Sequence, residues 1–171
     1  QAGKLGEVKI AAPAPFVLSF LVDVLAQFRD RHPTVDILIR ERNKTTIFDM
    51  LQDRVVTLGL VNAPVYDKQF TIIAGFRDPI RAVVGVGHPL AFQQRPLHIE
   101  DIYGHTIYRV SMFPRMTAFI DSVVEHARRG SGGAVIKVPM VMARELVSTG
   151  KGVTFLPESY VKPAVLKGEL T

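Results

Sequence analysis

Cysteine is missing from this chain. Without a thiol there is no disulfide, no thiolate zinc or iron–sulfur site and no cysteine nucleophile. Long hydrophobic runs are missing as well. The longest near-apolar stretch, residues 11–25, is interrupted by Pro13, Pro15, Ser19 and Asp23, and a membrane span needs roughly 20 consecutive apolar residues. No basic-then-apolar leader opens the sequence; it begins at Gln1, not Met, and is expected to be an excised piece or a processed product. Concentrated charge is scarce too. The formal charge of +5 comes from 21 Lys and Arg against 16 Asp and Glu. The densest basic clusters are only Arg40/Arg42/Lys44 and Arg128/Arg129. With no basic run or helix stripe, ordinary solvated surface is expected, not a nucleic-acid footprint. What is present is apolar: 47% of 171 residues, enough to bury a core in one domain or two small lobes.

Residues 1–7 are polar and read as a linker end. The alternation Val8-Lys9-Ile10-Ala11 predicts a short strand. Pro13 and Pro15 stop it, and Pro15 suits a first helical position because the N–H it lacks would be unbonded there anyway. Residues 16–31 form the best predicted helix, with Ser19, Asp23, Gln27 and Asp30/Arg31 in a narrow polar stripe. Its apolar remainder, from Phe16 to Phe28, exceeds one face, which predicts a second partner such as another subunit. His32-Pro33 ends that helix. A strand follows at 35–40, then a short helix to Gln52 capped by Thr45 or Thr46. Residues 58–61 are a brief buried strand closed by Asn62-Ala63-Pro64. Residues 70–76 and 80–86 read as strands around Asp78-Pro79, either a hairpin or a chain crossing between lobes.

The order then recurs: strand 106–110, loop 111–115, helix 116–129 ended by a glycine-rich stop at 130–133, strand 135–138, helix 140–149, strand 153–156 and a last helical piece from Glu158. Two strand–helix–strand series predict α/β architecture with mainly parallel strands, in two lobes with a cleft between them. Several short motifs carry no chemistry. Gly85-Val86-Gly87 lacks the third glycine of a dinucleotide fingerprint and opens no helix. Gly150-Lys151-Gly152 follows a helix and reads as its C-cap. The five histidines show no metal spacing, and His88, before Pro89, is expected to shape a turn. Asp121 and Glu125 are expected to be solvated, and no nucleophile, base and orienter stand together.

Four segments gain weight from their order: Phe28-Arg29-Asp30-Arg31-His32-Pro33; Val35-Asp36-Ile37 with Glu41; Val86-Gly87-His88-Pro89-Leu90; and Gly150-Lys151-Gly152-Val153 through Leu156-Pro157. Together they resemble the effector-binding domain of LysR-type transcriptional regulators, along which the whole chain can be laid without large gaps. Departures are Arg54 and Thr57 where the family often has a Gly and an Asp, Pro15 where a Ser or Thr commonly grips an effector carboxylate, and Lys44 where a second Ser is frequent. The resemblance implies two Rossmann-like lobes joined by two crossovers, as in type II periplasmic binding proteins. Lobe I would be residues 8–78 plus 158–171, and lobe II residues 79–157. It implies a homodimer or tetramer paired through helices 16–31 and 116–129. It also implies DNA contact through a winged helix-turn-helix that precedes this domain in the family and that nothing in this sequence encodes.

The expected function is therefore small-molecule effector sensing in a cytoplasmic bacterial regulator, with no cofactor, no membrane and no catalysis. The effector expected from the family is an organic acid or aromatic metabolite. The alternative is a periplasmic-type solute-binding protein of a transport system. Small anions in such clefts are held by strand-end loops and helix N-termini. The candidate effector residues are Ala12, Pro13, Ala14 and Pro15 in the first strand-end loop, Asn62 at a later rim, Ser111, Met112 and Phe113 before the long helix, and Phe155. The first loop offers an apolar wall or only a rigid turn. Ser111 could donate to a ligand oxygen or cap a turn, Phe113 could stack on a ligand or pack in the core, and Arg115 could pair with a carboxylate or stay solvated. Asn62 is otherwise a turn former and Phe155 otherwise core; Arg81 is expected at the surface.

Overall fold

Along β1 (Glu7–Ala12) burial rises steadily, until Ala11 and Ala12 are fully covered. That profile is explained by the computed structural model, which describes residues 6–130 and 133–171. The linker reading for residues 1–5 and the middle of the glycine-rich stop at 131–132 lie outside the described residues. β1 is the middle strand of a parallel sheet with β2 (Asp36–Glu41) and β3 (Leu58–Gly59), in the order β2-β1-β3. Parallel neighbours need crossover connections. These are α1 (Ala14–Leu18) and α2 (Leu21–Arg31) on one side of β2, and α3 (Lys44–Gln52) on the other. Ala11, Ile47, Met50 and Val56 form the core of this unit, Gln1–Phe76.

The single helix expected over 16–31 is broken. Ser19 leaves the helical region (φ −101°, ψ −120°), is buried, and its hydroxyl donates to the Phe16 carbonyl at 3.5 Å. The rings of Phe16 and Phe20 both pack against Phe76, with centroids 5.7 and 4.3 Å apart. Tertiary packing of these rings overrides a locally helical pattern. Pro13 is the N-cap, so Pro15 sits one position later than expected. On α2 only Leu21 is buried; Val22 is 58% exposed and Val24 49%. The expected Thr45/Thr46 cap of α3 is replaced by Asn43, whose side-chain oxygen accepts from Thr46 N at 3.0 Å. α3 ends in a Schellman arrangement: Arg54 N–H donates to the Leu51 carbonyl and Val55 N–H to the Met50 carbonyl. Arg54 occupies the left-handed position at φ +57°. No strand forms at 70–76. Its alternation is genuine, but no partner strand accompanies it, and Ile72 and Ile73 stand in the open.

The second unit, Arg77–Thr171, holds a four-stranded sheet in the order β4-β7-β5-β6. Its strands are β4 (Ile80–Val83), β5 (Ile107–Arg109), β6 (Val135–Lys137) and β7 (Val153–Pro157). β4 runs antiparallel to β7, and the other pairs are parallel. β7 is buried at every position, as a strand covered on both faces must be. α4 (Pro114–Gly130), α5 (Met140–Ser148) and α6 (Glu158–Leu166) complete the unit. Its core includes Val84, Ile107, Ile120, Val124, Val153 and Phe155. His88 caps a 3-10 turn, its ring nitrogen accepting from Leu90 N at 3.2 Å. Gly150, at φ +78°, ends α5 as expected.

Residues 158–171 lie within this second unit, Arg77–Thr171. Tyr160, Val161 and Ala164 are buried along α6, which packs on β4 and β7. Thr171 exchanges both backbone hydrogen bonds with Val84 at 3.0 Å. α6 has no cap of its own. Asp78 supplies one, accepting from the backbone N–H of Ser159 at 3.0 Å and from its hydroxyl.

Candidate functional site

Parallel strands deliver their following loops to one edge of a sheet, where ligands of α/β folds bind. In the first unit that edge carries the exits of β1 and β3, which are hydrogen-bonded neighbours. Ala12 and Pro13 are buried there, and Ala14 and Pro15, half-buried, open α1. The Ala12 carbonyl accepts from Arg42 N, and the Pro13 carbonyl accepts from Phe16 N and Val17 N. This is a rigid apolar turn without a hydroxyl donor. Asn62 follows β3, and its amide folds back toward the Ala63 carbonyl at 3.5 Å, before the cis Ala63-Pro64 bond. The Lys44 ammonium donates to the carbonyls of Asn62 (2.9 Å) and Pro64 (2.6 Å) and lies 5.9 Å from the centre of the Phe48 ring. Lys44 is thus a strap across the rim, a role that spacing alone did not suggest.

In the second unit, β5 and β7 are parallel neighbours. Ser111 is exposed beyond the end of β5, and Phe113 is half-buried at the entry to α4, its carbonyl accepting from Thr117 N. Phe155 is buried in the core cluster with Ile120 and Val153, and Met112, half-buried, packs against that cluster. Thr154 is fully buried, its hydroxyl donating to the Tyr108 carbonyl at 2.8 Å. Arg115 is exposed, and Arg81 is ion-paired to Glu158 at 2.6 Å.

The residue that sequence reasoning missed is Arg109. Its guanidinium meets Asp121 of α4 through Nε and Nη2, and its Nη1 donates to Ser111 Oγ at 2.6 Å. Its side chain is only 12% exposed. The hydrogen bonds from Arg109, with Lys137 adding positive charge nearby, hold the Asp121 carboxyl below the usual carboxylate range. The available signal was an arginine inside an otherwise apolar strand. Asp121 is therefore paired, not free in solvent. Away from this edge, burial and then the neighbouring His105 ring, 4.7 Å off, lower the His88 pKa, so its neutral form caps the turn. Among the described residues no group of three or more His, Asp or Glu could hold a metal ion, and no helix is long and apolar enough to cross a membrane.

Compared with known proteins, the chain matches the LysR substrate binding domain over residues 1–171. The chain belongs to the LysR substrate binding domain family. This LysR domain is 28% identical over 160 residues to the transcriptional dual regulator GltC of Bacillus subtilis (strain 168), covering 90% of this chain and 51% of GltC. It thus spans about half the length of the curated relatives it matches. Its fold superposes on the reduced regulatory domain of OxyR2 from Vibrio vulnificus with a TM-score of 0.70 at 17% identity, covering 100% of this chain and 80% of that one. It superposes on the BenM effector binding domain with its effector benzoate at a TM-score of 0.65 and 17% identity, covering 92% and 72%. The LysR domain accordingly has the α/β, type II periplasmic-binding-protein-like fold of these regulatory domains. The turn after β1, residues 12–15, carries no hydroxyl, and Ser111, beyond β5, is exposed.

Proposed function

We propose that this chain is the small-molecule-sensing and self-associating module of a bacterial transcriptional regulator whose DNA-binding part lies in another segment of the protein. The observation that carries the reading is the family match over residues 1–171, and strand-end loops of parallel sheets, where ligands of α/β folds bind, support it. One surface is the apolar Ala12–Pro15 turn with Asn62, and the other is Ser111 with Phe113. The ligand class that fits is a small organic acid or aromatic metabolite, whose ring can lie on apolar walls while one polar group meets a hydroxyl. Relatives named as transcriptional regulators favour a regulator over a transport protein. The exposed Val22 and Val24 of α2 supply apolar surface that a second copy could cover. A ligand that binds one conformation better than another biases the assembly by its difference in affinity. We propose a cytoplasmic location on the same grounds.

The test is a thermal-shift and calorimetric screen of the domain against organic acids and aromatic metabolites. At least one should raise the unfolding temperature in a concentration-dependent way. Substituting Phe113→Ala should weaken that binding while leaving self-association intact. A screen in which no compound shifts the transition would refute the sensing role.

A further inference from the structure

We infer that Arg109 is a positioning residue that makes the Ser111 hydroxyl a hydrogen-bond donor to the effector, so that the group received there is an oxyanion or carbonyl oxygen. This rests on the proposed sensing function and names the ligand chemistry of one of its two surfaces. A guanidinium has only donors, in a rigid planar fork. Its Nε and Nη2 are both committed to the Asp121 carboxylate, which fixes the plane and aims Nη1 at Ser111 Oγ, 2.6 Å away. A serine hydroxyl has one proton and two lone pairs. With a lone pair taken by Arg109, the proton must turn away from it. Ser111 is exposed, and no described residue accepts that proton.

Accepting a hydrogen bond from a cation polarises the hydroxyl and strengthens it as a donor. The fork itself is occupied by Asp121, so the serine, not the guanidinium, is the group offered to a ligand. Lysine could not reproduce this, because an ammonium has no second edge with which to hold the carboxylate and the serine at once. Asp121 on α4 and Lys137 on β6 are the charged groups beside the fork.

The experiment uses the isotope-labelled domain and three probes with the same ring: benzoate, benzyl alcohol and benzylamine. Binding is followed at the Ser111 amide by NMR. Benzoate is expected to shift that amide saturably and to bind about tenfold or more tightly than benzylamine, as befits a hydrogen bond to a charged acceptor. Ser111→Ala and Arg109→Lys should each erase the preference; Ser111→Thr, which keeps the hydroxyl, should retain it. Because Arg109→Lys keeps the charge, a purely electrostatic role would leave the preference in place. Unfolding curves identify any variant that fails to fold. In that case the exposed Ser111→Ala and Ser111→Thr pair carries the test: the first should lose the preference and the second keep it.

Equal shifts from benzoate and benzylamine, silence of Ser111 with all three probes, or an undiminished preference in Arg109→Lys would overturn the inference. A domain that binds a metabolite elsewhere with Ser111 silent sinks this inference alone. A domain that binds none of the three probes and none of the screened metabolites sinks the sensing role, and this inference with it.

Discussion

Gly150 and Gly152 have almost the same backbone, φ +78° and +77°, but different surroundings. Replacing each by alanine therefore separates conformational cost from steric cost. A side chain in the left-handed region costs about 1–2 kcal/mol, partly offset by the lower entropy of the unfolded alanine chain. At Gly150 a β-carbon would meet nothing nearer than a Gly87 carbon at 3.9 Å. Gly150→Ala should thus cost only about 1 kcal/mol. At Gly152 the same atom would lie 2.6 Å from the Thr106 carbonyl oxygen and 2.8 Å from a ring carbon of Tyr108. That carbonyl accepts from Val153 N at 2.8 Å, so retreat would break the first link between β5 and β7.

Overpacking of this kind costs about 1–3 kcal/mol, and a lost backbone hydrogen bond about 1 kcal/mol more. Gly152→Ala should therefore be less stable than Gly150→Ala by about 2–4 kcal/mol, a large share of the roughly 5–15 kcal/mol of a typical domain. Urea titration followed by circular dichroism measures the gap as a difference in midpoint at constant slope. Equal losses in the two variants would refute the reasoning, because φ alone would then account for both glycines.

Other outcomes follow from single contacts. Arg54→Gly, at φ +57° in the cap of α3, should raise stability by about 0.5–1 kcal/mol in the same titration; a loss would mean the arginine side chain outweighs its backbone strain. Thr154→Val removes the buried bond to the Tyr108 carbonyl and should lower stability by about 1–2 kcal/mol; no change would make that hydroxyl idle. Asp101, held at a pKa of about 2 by the Arg95 fork and the His98 N–H, contributes stability above its unfolded pKa and loses it as pH falls from about 4 through 2. Asp101→Asn should flatten the stability slope in that window alone, and an unaltered slope there would exclude the contribution. Val22→Ser with Val24→Ser, both exposed on α2, should reduce self-association in analytical ultracentrifugation and leave stability within about 0.5 kcal/mol. Unaltered association would move the interface off that helix.

What was legible in the sequence was what short-range pattern encodes. The strand at 7–12, the helix ending at Gly150 and the turn role of His88 each rest on neighbours within a few residues. The misses depend on residues far apart in sequence. At Ser19 a local bond back to the Phe16 carbonyl acts together with Phe76, remote in sequence, which packs on Phe16 and Phe20. Residues 70–76 alternate like a strand, but pairing needs a partner that alternation does not supply. The contacts of Ser159 with Asp78 and of Thr171 with Val84 likewise join residues remote in the chain. At the strand-end loops the contacts of individual side chains were not legible. Phe155 is buried and Met112 half-buried against the core, while Arg109 bonds at once to Ser111 and to Asp121, twelve positions on.

The pairing of β4 with β7, Ile80 opposite Pro157, has a consequence during synthesis. Every strand of the first sheet has left the ribosome once Gly59 is free, so that sheet can close early. β4 must wait for β7. At about 5–20 residues per second the apolar stretch Ala82-Val83-Val84 stays bare for several seconds. It is there that a nascent-chain chaperone would find its foothold on this polypeptide.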